Sequence, residues 1–158
     1  MIDFEKCRRA LKALELHHLT LGSIESITGG LFASSLTTIP GSSEVFKGAY
    51  VTYCSELKEK LLGVPSELIE KHGVVSQEVA NEMAIRGRKK LGVDVAVAFT
   101  GNAGPTAEPG RAGVGVVCMA ISTKYGLIEL QQEFQGSRQE VRERSVDMML
   151  DQLIAIFS

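Results

Sequence analysis

The amino-acid sequence predicts a three-layer α/β/α fold around a mixed, mostly parallel sheet of about five strands, one of them an antiparallel hairpin strand. Helical and strand-like patterns alternate along the 158 residues, which is typical of an α/β domain. The dense apolar run 93–99 is typical of a buried central strand. The last two strand patterns are joined only by residues 123–126, so at least one pair of strands is an antiparallel hairpin.

Apolar periodicity and capping signals divide the first half of the chain into five elements. Asp3, Thr28 and Ser55 precede helical patterns and are expected to cap them, because their side-chain oxygens can accept from free backbone N–H groups. The elements, in order, are a helix over 4–16, a strand over about 20–25, a helix that opens with Gly29-Gly30 and ends before Pro40, a strand over 45–53 and a short helix ending near Gly63.

The second half contains a long helix that Ser76 is expected to cap and Gly92 to end. A loop rich in glycine and proline, 101–113, follows the central strand. No repeat or linker is present, so we expect residues 1–158 to form a single domain. The elements are a helical turn from Pro65, a helix over 76–91, a strand over 93–99, strands over 114–122 and 127–134, and a final helix over about 137–157.

Composition and charge argue against several classes of function. The net charge is −2 and no basic stripe dominates, so nucleic acid is not an expected partner. The three cysteines are far apart and the histidines lack zinc spacing, so we expect neither a disulfide framework nor a metal site. No window approaches the roughly 20 apolar residues of a membrane span. The acidic N-terminus does not resemble a signal peptide, so we expect a cytoplasmic protein without a membrane partner.

The first candidate site is the segment 25–30, with the sequence Glu-Ser-Ile-Thr-Gly-Gly. Ser26 lies between a predicted strand and a predicted helix, where free backbone N–H groups can hold an oxyanion or a phosphate. Gly29 and Gly30 allow ligand atoms to approach the backbone closely. The same string also suits a simple turn capped by Thr28, so this segment alone leaves both interpretations open.

The second candidate is Lys58, with Tyr53 nearby. If Ser55 caps the helix, Lys58 lies in the first turn, where the helix dipole disfavours a cation by about 0.3–1 kcal/mol and lowers its pKa. Partial burial would lower that pKa further, and a neutral lysine can take the proton from a serine hydroxyl. The alternatives are a solvated surface lysine, like Lys47 and Lys60, and a tyrosine with its hydroxyl at the rim of the sheet.

The third candidate is the loop 100–105, which follows the most buried strand. Such a loop can supply backbone donors and a hydroxyl to a phosphate or a ribose, but it also suits a tight turn. Three arginines, Arg138, Arg142 and Arg144, lie near the start of the last helix and mostly form a solvated face. Arg142 is the one that we expect to reach an anionic substrate.

Six ordered segments together resemble the CinA C-terminal domain family, the nicotinamide-nucleotide amidases, over about residues 11–153. The resemblance implies hydrolysis of the carboxamide of nicotinamide mononucleotide to nicotinic acid mononucleotide and ammonia, a step of pyridine-nucleotide salvage. The segments are 25–30, Pro40-Gly41-Ser42-Ser43, Val51-Thr52-Tyr53 with Lys58, Leu62-Gly63-Val64, His72-Gly73-Val74-Val75-Ser76 and Thr100-Gly101-Asn102-Ala103-Gly104-Pro105.

The resemblance implies a serine–lysine mechanism in which Ser26 is the nucleophile and Lys58 the base, with Tyr53 beside them. It implies a small-molecule nucleotide as the substrate, a homodimer, and neither a metal nor an organic cofactor. Together with Arg142, the expected substrate-binding residues are Glu25, Thr28, Gly29, Gly30, Thr100, Gly101 and Asn102.

Two other functions remain open at the level of sequence. Ile27, Asn102 and the loop 102–113 depart from the family pattern, which would suit a non-catalytic domain that binds a nucleotide or a protein partner. A cysteine hydrolase that uses Cys54 or Cys118 is the third possibility, although neither cysteine has a histidine as its neighbour in sequence.

Overall fold

The computed structural model describes residues 1–158 and contains six α-helices and five β-strands. None of the helices is both long enough and apolar enough to cross a membrane. The elements are α1 (Phe4–Leu16), β1 (Leu21–Glu25), α2 (Leu31–Thr37), β2 (Phe46–Val51), α3 (Ser55–Leu62), α4 (Ser66–His72), α5 (Gln77–Leu91), β3 (Val95–Gly101), β4 (Val116–Thr123), β5 (Gly126–Glu133) and α6 (Arg138–Phe157), with a short 3₁₀ turn at Ser42–Glu44.

The five strands form one sheet in the order β2-β1-β3-β4-β5. β1 runs parallel to both β2 and β3, whereas β4 runs antiparallel to both of its neighbours, β3 and β5. Four strands therefore point in one direction and β4 alone is reversed, which confirms the mixed, mostly parallel sheet with an antiparallel hairpin strand. The reversal between β4 and β5 follows from their tight link, in which Thr123 pairs with Gly126.

Helices cover both faces of the sheet and complete the predicted α/β/α layers. α1, α2 and α6 pack on one face around a cluster of 23 buried residues, and α5, with α3 and α4, packs on the other around 11. β3 lies at the centre, and its side chains alternate between the faces: Val97 and Phe99 join the larger cluster and Ala98 the smaller. α5 lies very close to β1, since a Cβ on Gly87 would collide with the Ile24 side chain.

Two of the predicted helix caps are wrong. Thr28 does not cap α2, which begins at Leu31 after Gly30, a residue with a φ of 102° and no side chain to act as a cap. This left-handed conformation costs glycine little. Ser55 does not cap α3, because it is the first helical residue, and Cys54 occupies the N-cap position without a side-chain hydrogen bond.

The other boundaries lie close to those predicted from the sequence. Asp3 and Ser76 cap α1 and α5 through hydrogen bonds that their side chains accept from the backbone, and Gly92 ends α5 with a φ of 66°. β3 begins two residues later than predicted, at Val95, because the residues before it form the turn that leaves α5.

The parallel strands bring three distant segments to one edge of the sheet. Glu25, the last residue of β1, pairs with Val51 on one side and with Phe99 on the other. The residues that follow these three positions are Ser26, Thr52 and Thr100. Because parallel strands end on the same side, these segments must lie next to one another, at the edge where ligands of open α/β sheets bind.

Candidate active site

Ser26 is the first residue after β1, and the sheet itself holds its backbone. Its N–H donates to the Phe99 carbonyl of β3 at 3.1 Å. The chain then turns at once, and the Gly29 N–H donates to the Ser26 carbonyl at 2.9 Å. Gly29 has a φ of 57°, which a residue without a Cβ adopts most easily. The Ser26 side chain therefore lies on a tight strand-to-helix turn and lines a cleft, with 8% of the residue exposed.

Lys58 of α3 contacts the Ser26 hydroxyl directly, with 3.0 Å between Nζ and Oγ. Nζ also donates to the Thr52 carbonyl at 2.5 Å. Lys58 is fully buried and forms no ion pair with a carboxylate. This burial lowers the pKa of Lys58 to about 8, against a smaller opposing influence from Cys54. About a tenth of the amine is therefore neutral at pH 7, and about half at pH 8.

The packing of α3 explains why this lysine is buried. Lys58 shares the inward face of the helix with Leu62, one turn further on, while Lys47 and Lys60 are exposed. The surface-lysine interpretation is therefore wrong for Lys58. The helix dipole is not the main cause of the lowered pKa of Lys58. α3 starts at Ser55, so Lys58 lies beyond the first three helical residues. The largest cause of the shift is the loss of solvent around the buried amine.

The turn that follows Ser26 contains backbone N–H groups without an acceptor. The backbone N–H groups of Ile27, Thr28 and Gly30, all in the turn after Ser26, donate to no acceptor in the chain. Unpaired N–H groups at such a turn can stabilise negative charge on an oxygen. Ser26 therefore combines a basic partner on one side with unoccupied donors in its own turn.

Glu25 has a different role from the predicted one. Its carboxylate is fully buried and accepts four hydrogen bonds, which leaves it no free position for a substrate. Two donors are the hydroxyls of Ser23 and Thr28, both at 2.8 Å. The other two are the N–H groups of Phe32 and Ala33, at 2.9 and 3.0 Å, in the first turn of α2. Glu25 thus supplies the helix cap that Thr28 was expected to provide. Because the side chains of Glu25 and Thr28 are buried and bonded to each other, neither is available to bind a substrate.

Arg142 and the two glycines of the turn also lie outside the cleft lining. Arg142 Nε donates to the Ile27 carbonyl at 3.2 Å and Nη2 to the Thr28 carbonyl at 2.9 Å. The arginine therefore binds the turn rather than open solvent, because α6 packs behind the segment that follows β1. Gly29 and Gly30 form the turn through their positive φ angles and do not face the cleft.

The cleft has a volume of about 1120 Å³ and is lined by Thr100, Gly101 and Asn102, besides Ser26. Thr100 is almost fully buried and its hydroxyl donates to the Val74 carbonyl at 2.8 Å. That bond ties the end of β3 to the segment before α5. Thr100 therefore shapes the cleft wall.

Asn102 organises the loop that follows β3. Its side-chain nitrogen donates to the carbonyls of Thr106 and Ala112, at 3.2 and 3.1 Å, and its oxygen accepts from the Gly104 N–H at 2.9 Å. The side chain is thus occupied by its own loop. Asn102 lines the cleft, but it holds the loop in shape instead of offering a free amide to a substrate.

Tyr53 and Arg138 meet across the mouth of the cleft. Tyr53 is 57% exposed, and its hydroxyl accepts a hydrogen bond from Arg138 Nη2 at 2.8 Å. Arg138 Nη1 donates to the Gly104 carbonyl at 2.6 Å. Arg142, and not Arg138, is the arginine that the sequence pattern favours as a substrate contact. The signal that could have identified Arg138 is its position as the first residue of α6, beside the edge where the parallel strands end.

The remaining charged side chains give the cleft no single sign. Three basic and three acidic side chains line the cleft, and none of them forms an ion pair: Lys71, Arg111, Arg138, Glu59, Glu70 and Glu108. No group of three or more histidine, cysteine, aspartate or glutamate side chains is arranged to hold a metal ion. The cleft is therefore mixed in charge, with cations that an anionic group could pair with.

The fold and the site define an α/β domain with a serine and a buried lysine in contact at the carboxyl ends of its parallel strands. A family model, the CinA C-terminal domain, matches residues 5–157. The chain therefore belongs to the CinA C-terminal domain family. The resemblance inferred from the six ordered segments is confirmed.

Known relatives agree in sequence and in structure. The chain is 41% identical over 136 residues, 86% of its length, to a CinA-like protein of Solibacter usitatus, and 44% identical over 140 residues, 89% of its length, to one of Desulfotalea psychrophila. It spans about a third of the length of these relatives: 33% and 34%. It also superposes on a competence/damage inducible protein, CihA, from Agrobacterium tumefaciens, with a TM-score of 0.94 at 32% identity, covering 100% of this chain and 99% of that one.

Proposed function

We propose that this chain is a serine–lysine amidase that hydrolyses the carboxamide of nicotinamide mononucleotide to nicotinic acid mononucleotide and ammonia. The observation that carries the proposal is the 3.0 Å contact between Ser26 Oγ and the Nζ of a fully buried Lys58. Amide hydrolysis needs a nucleophile, a base that activates it and donors for the tetrahedral oxyanion. The candidates for these three parts are Ser26, Lys58 and the unpaired N–H group of Ile27, a residue that lines the cleft.

The first half of the reaction forms an acyl-enzyme. Neutral Lys58 accepts the proton of the Ser26 hydroxyl as Oγ attacks the carboxamide carbon, and the carbonyl oxygen becomes an oxyanion held by backbone N–H groups of the turn. The protonated Lys58 then donates its proton to the amide nitrogen as the C–N bond breaks. Ammonia leaves and the acyl group stays on Oγ.

The second half regenerates the enzyme. Lys58, neutral again, accepts a proton from a water molecule that attacks the ester carbon. The tetrahedral intermediate collapses, Oγ takes the proton back from Lys58, and the carboxylic acid is released. One water molecule is consumed and one ammonia is formed for each amide, and no redox partner is required.

The choice of a nucleotide amide rests on the family resemblance and on the size and charge of the cleft. A cleft of about 1120 Å³ has room for a mononucleotide. Arg138 and Arg111 line it without carboxylate partners and can pair with a phosphate. Tyr53, exposed at the mouth, offers an aromatic face against which a pyridine ring can stack.

Replacing the nucleophile tests the proposal. Ser26→Ala is expected to lower the rate of ammonia release from nicotinamide mononucleotide by at least about 10³-fold, because no other group can form the acyl-enzyme. The matched control is Ser66→Ala, since Ser66 also lines the cleft but contacts no lysine. No ammonia release by the unmodified protein would exclude the amidase, and an undiminished rate in Ser26→Ala would exclude Ser26 as its nucleophile.

The pH dependence of the rate tests the role of Lys58. Only the neutral amine can accept a proton, and its pKa is about 8. We therefore expect kcat/KM to rise about tenfold between pH 6 and pH 7 and to level off above about pH 8–9. The measurement is initial ammonia release in buffers of constant ionic strength. A profile that is flat from pH 6 to pH 8 would contradict a lysine base.

A non-catalytic nucleotide-binding domain is the second candidate, because the loop 102–113 departs from the family pattern. This candidate predicts saturable binding of nicotinamide mononucleotide without ammonia, and equal affinity in Ser26→Ala. Calorimetric titration beside the ammonia assay separates the two functions. Cys118 has less support as a nucleophile, since it is buried and burial raises the pKa of its thiol to about 11, whereas Cys54 is exposed and lines the cleft.

A further inference from the structure

Thr52 carries the one buried side-chain oxygen or nitrogen atom in the structure that has no hydrogen-bond partner. The residue is fully buried, so its hydroxyl has lost the bonds that it makes to water in the unfolded chain. Valine has nearly the same shape and no polar atom, and it would fill the same space without this cost. Packing alone therefore does not account for a hydroxyl at this position.

The backbone of Thr52 is already a partner of the proposed base. Lys58 Nζ donates to the Thr52 carbonyl at 2.5 Å. Thr52 follows β2 and continues its ladder with β1, since its N–H donates to the Glu25 carbonyl at 2.9 Å. The two bonds hold Thr52 between the end of the parallel strands and the amine of Lys58, so the residue lies beside the serine and the lysine of the proposed site.

The side chain of Thr52 lies on the face of the sheet that α3 covers. Side chains of a strand alternate between its two faces. Tyr50 packs against the smaller buried cluster, on the side of α3 and α5. Val51 lies on the other side, because a Cβ on Gly30, at the start of α2, would be 3.8 Å from its Cγ2. Thr52 is next in the ladder and shares the side of Tyr50, from which Lys58 of α3 also reaches the sheet.

Protonation of Lys58 creates a need for a third acceptor. An ammonium group has three N–H donors. Lys58 Nζ has two partners in the structure, Ser26 Oγ at 3.0 Å and the Thr52 carbonyl, and it forms no ion pair with a carboxylate. A donor of Lys58 and the hydroxyl of Thr52 are thus both without a partner, on two buried residues that are in contact.

We propose that Thr52 is a positioning residue whose hydroxyl accepts the third N–H of Lys58 when that amine takes the proton of Ser26. The inference rests on the proposed amidase function. Rotation about the Thr52 Cα–Cβ bond, or one bridging water, joins the two groups. A hydrogen bond from an ionised donor is about twice as strong as one between neutral groups. The hydroxyl therefore stabilises protonated Lys58, the form that exists while the acyl-enzyme is being made, more than neutral Lys58.

The first test measures stability and does not depend on turnover. Thr52→Val removes the hydroxyl and keeps the shape of the side chain. A hydroxyl that binds protonated Lys58 raises its folded-state pKa, so the contribution is present at pH 6 and is lost as the pH rises above about 8. In urea unfolding we expect Thr52→Val to raise the equilibrium constant for unfolding about tenfold at pH 6 and not to raise it at pH 10.

Three controls isolate the contact with the amine. Ser145→Ala removes another buried hydroxyl, which donates to the Val141 carbonyl of α6 at 2.8 Å, and its effect is expected to be the same at both pH values. In a Lys58→Met background the pH-dependent part of the Thr52→Val effect should vanish. Thr52→Ser and Thr52→Ala differ only in the hydroxyl, and they provide the same comparison if the valine variant folds poorly.

The pH profile of ammonia release from nicotinamide mononucleotide is the second readout. For Thr52→Val we expect kcat above pH 9 to fall about tenfold with KM unchanged, and the rising limb to move to lower pH by about one unit. Thr52→Ser is expected to restore both. Burial lowers the pKa of Lys58 and the charge of Cys54 opposes it, so all profiles are recorded in a Cys54→Ser background.

The outcomes separate this inference from the amidase proposal. A stability effect of Thr52→Val that is equal at pH 6 and pH 10 would overturn the contact between the hydroxyl and Lys58. A pH-dependent stability effect with kcat and the pH profile unchanged would overturn the positioning role and leave the amidase in place. A protein that shows the stability effect but releases no ammonia would overturn the amidase, and the positioning role with it.

Discussion

Lys58→Met is expected to abolish ammonia release while making the protein more stable at pH 7. Loss of activity by at least about 10³-fold follows if Lys58 is the base that activates Ser26. The gain in stability has a separate cause. Lys58 is fully buried without a carboxylate partner, whereas methionine has a similar unbranched chain and no charge to desolvate. Opposite changes in activity and stability are typical of residues that serve catalysis.

The sign and size of the stability change follow from the pKa of Lys58. It falls from 10.5 to about 8 on folding, a difference worth about 3 kcal/mol. At pH 7 and below both the folded and the unfolded lysine are mostly charged, so nearly the full cost of burying the charge is present. Between pH 8 and 10.5 the folded protein loses its proton first and its stability rises with pH. Allowing for the lost bond to Thr52, we expect Lys58→Met to gain about 1–3 kcal/mol at pH 7 and less at pH 10.

Urea unfolding at pH 7 and pH 10 measures this effect, with Lys60→Met as the matched control on the exposed side of the same helix. The control should change the free energy of unfolding little at either pH. A Lys58→Met protein that is less stable than the unmodified chain at pH 7 would show that the lysine is not desolvated in the folded state. Full activity in the same variant would exclude Lys58 as the base.

Replacing Glu25 is expected to cause the largest loss of stability. Its buried carboxylate accepts from two hydroxyls and from two backbone N–H groups at the start of α2. Glu25→Ala leaves all four donors without an acceptor in a buried site, and Glu25→Gln places an amide N–H₂ against donors of its own kind. We expect Glu25→Ala to lower the free energy of unfolding by about 3–5 kcal/mol and Glu25→Gln by about 2–3 kcal/mol.

A conventional helix cap provides the comparison for Glu25. Ser137 caps α6 at the protein surface, so Ser137→Ala is expected to cost only about 1 kcal/mol. Both sets of variants can be measured by thermal and urea unfolding under the same conditions. If Glu25→Ala proved no more harmful than Ser137→Ala, the carboxylate would not organise the turn, and a direct role towards a ligand would have to be considered again.

Much of the fold could be predicted because its signals are local. Cap residues such as Asp3 and Ser76, the apolar run that became β3 and the short link before Gly126 all act within a few residues of the chain. The two wrong caps have different causes: Ser55 is itself the first residue of α3, whereas Thr28 is replaced as the cap of α2 by a side chain from the preceding strand. A side-chain oxygen before an apolar run is a valid capping signal. In α2, however, the free N–H groups of the first turn donate to Glu25, a residue of the preceding strand.

The sequence by itself determined the order of the elements, the family and the turn that carries Ser26, because these depend on neighbouring residues and on spacing along the chain. Only the tertiary structure decided that Lys58 is buried against Ser26, across 32 positions, and that Arg142 binds the turn across 114 and 115 positions. It also decided that Glu25 is occupied within the core. Desolvation and pairing between distant residues depend on how α3 and α6 pack on the sheet, and no local pattern encodes that packing.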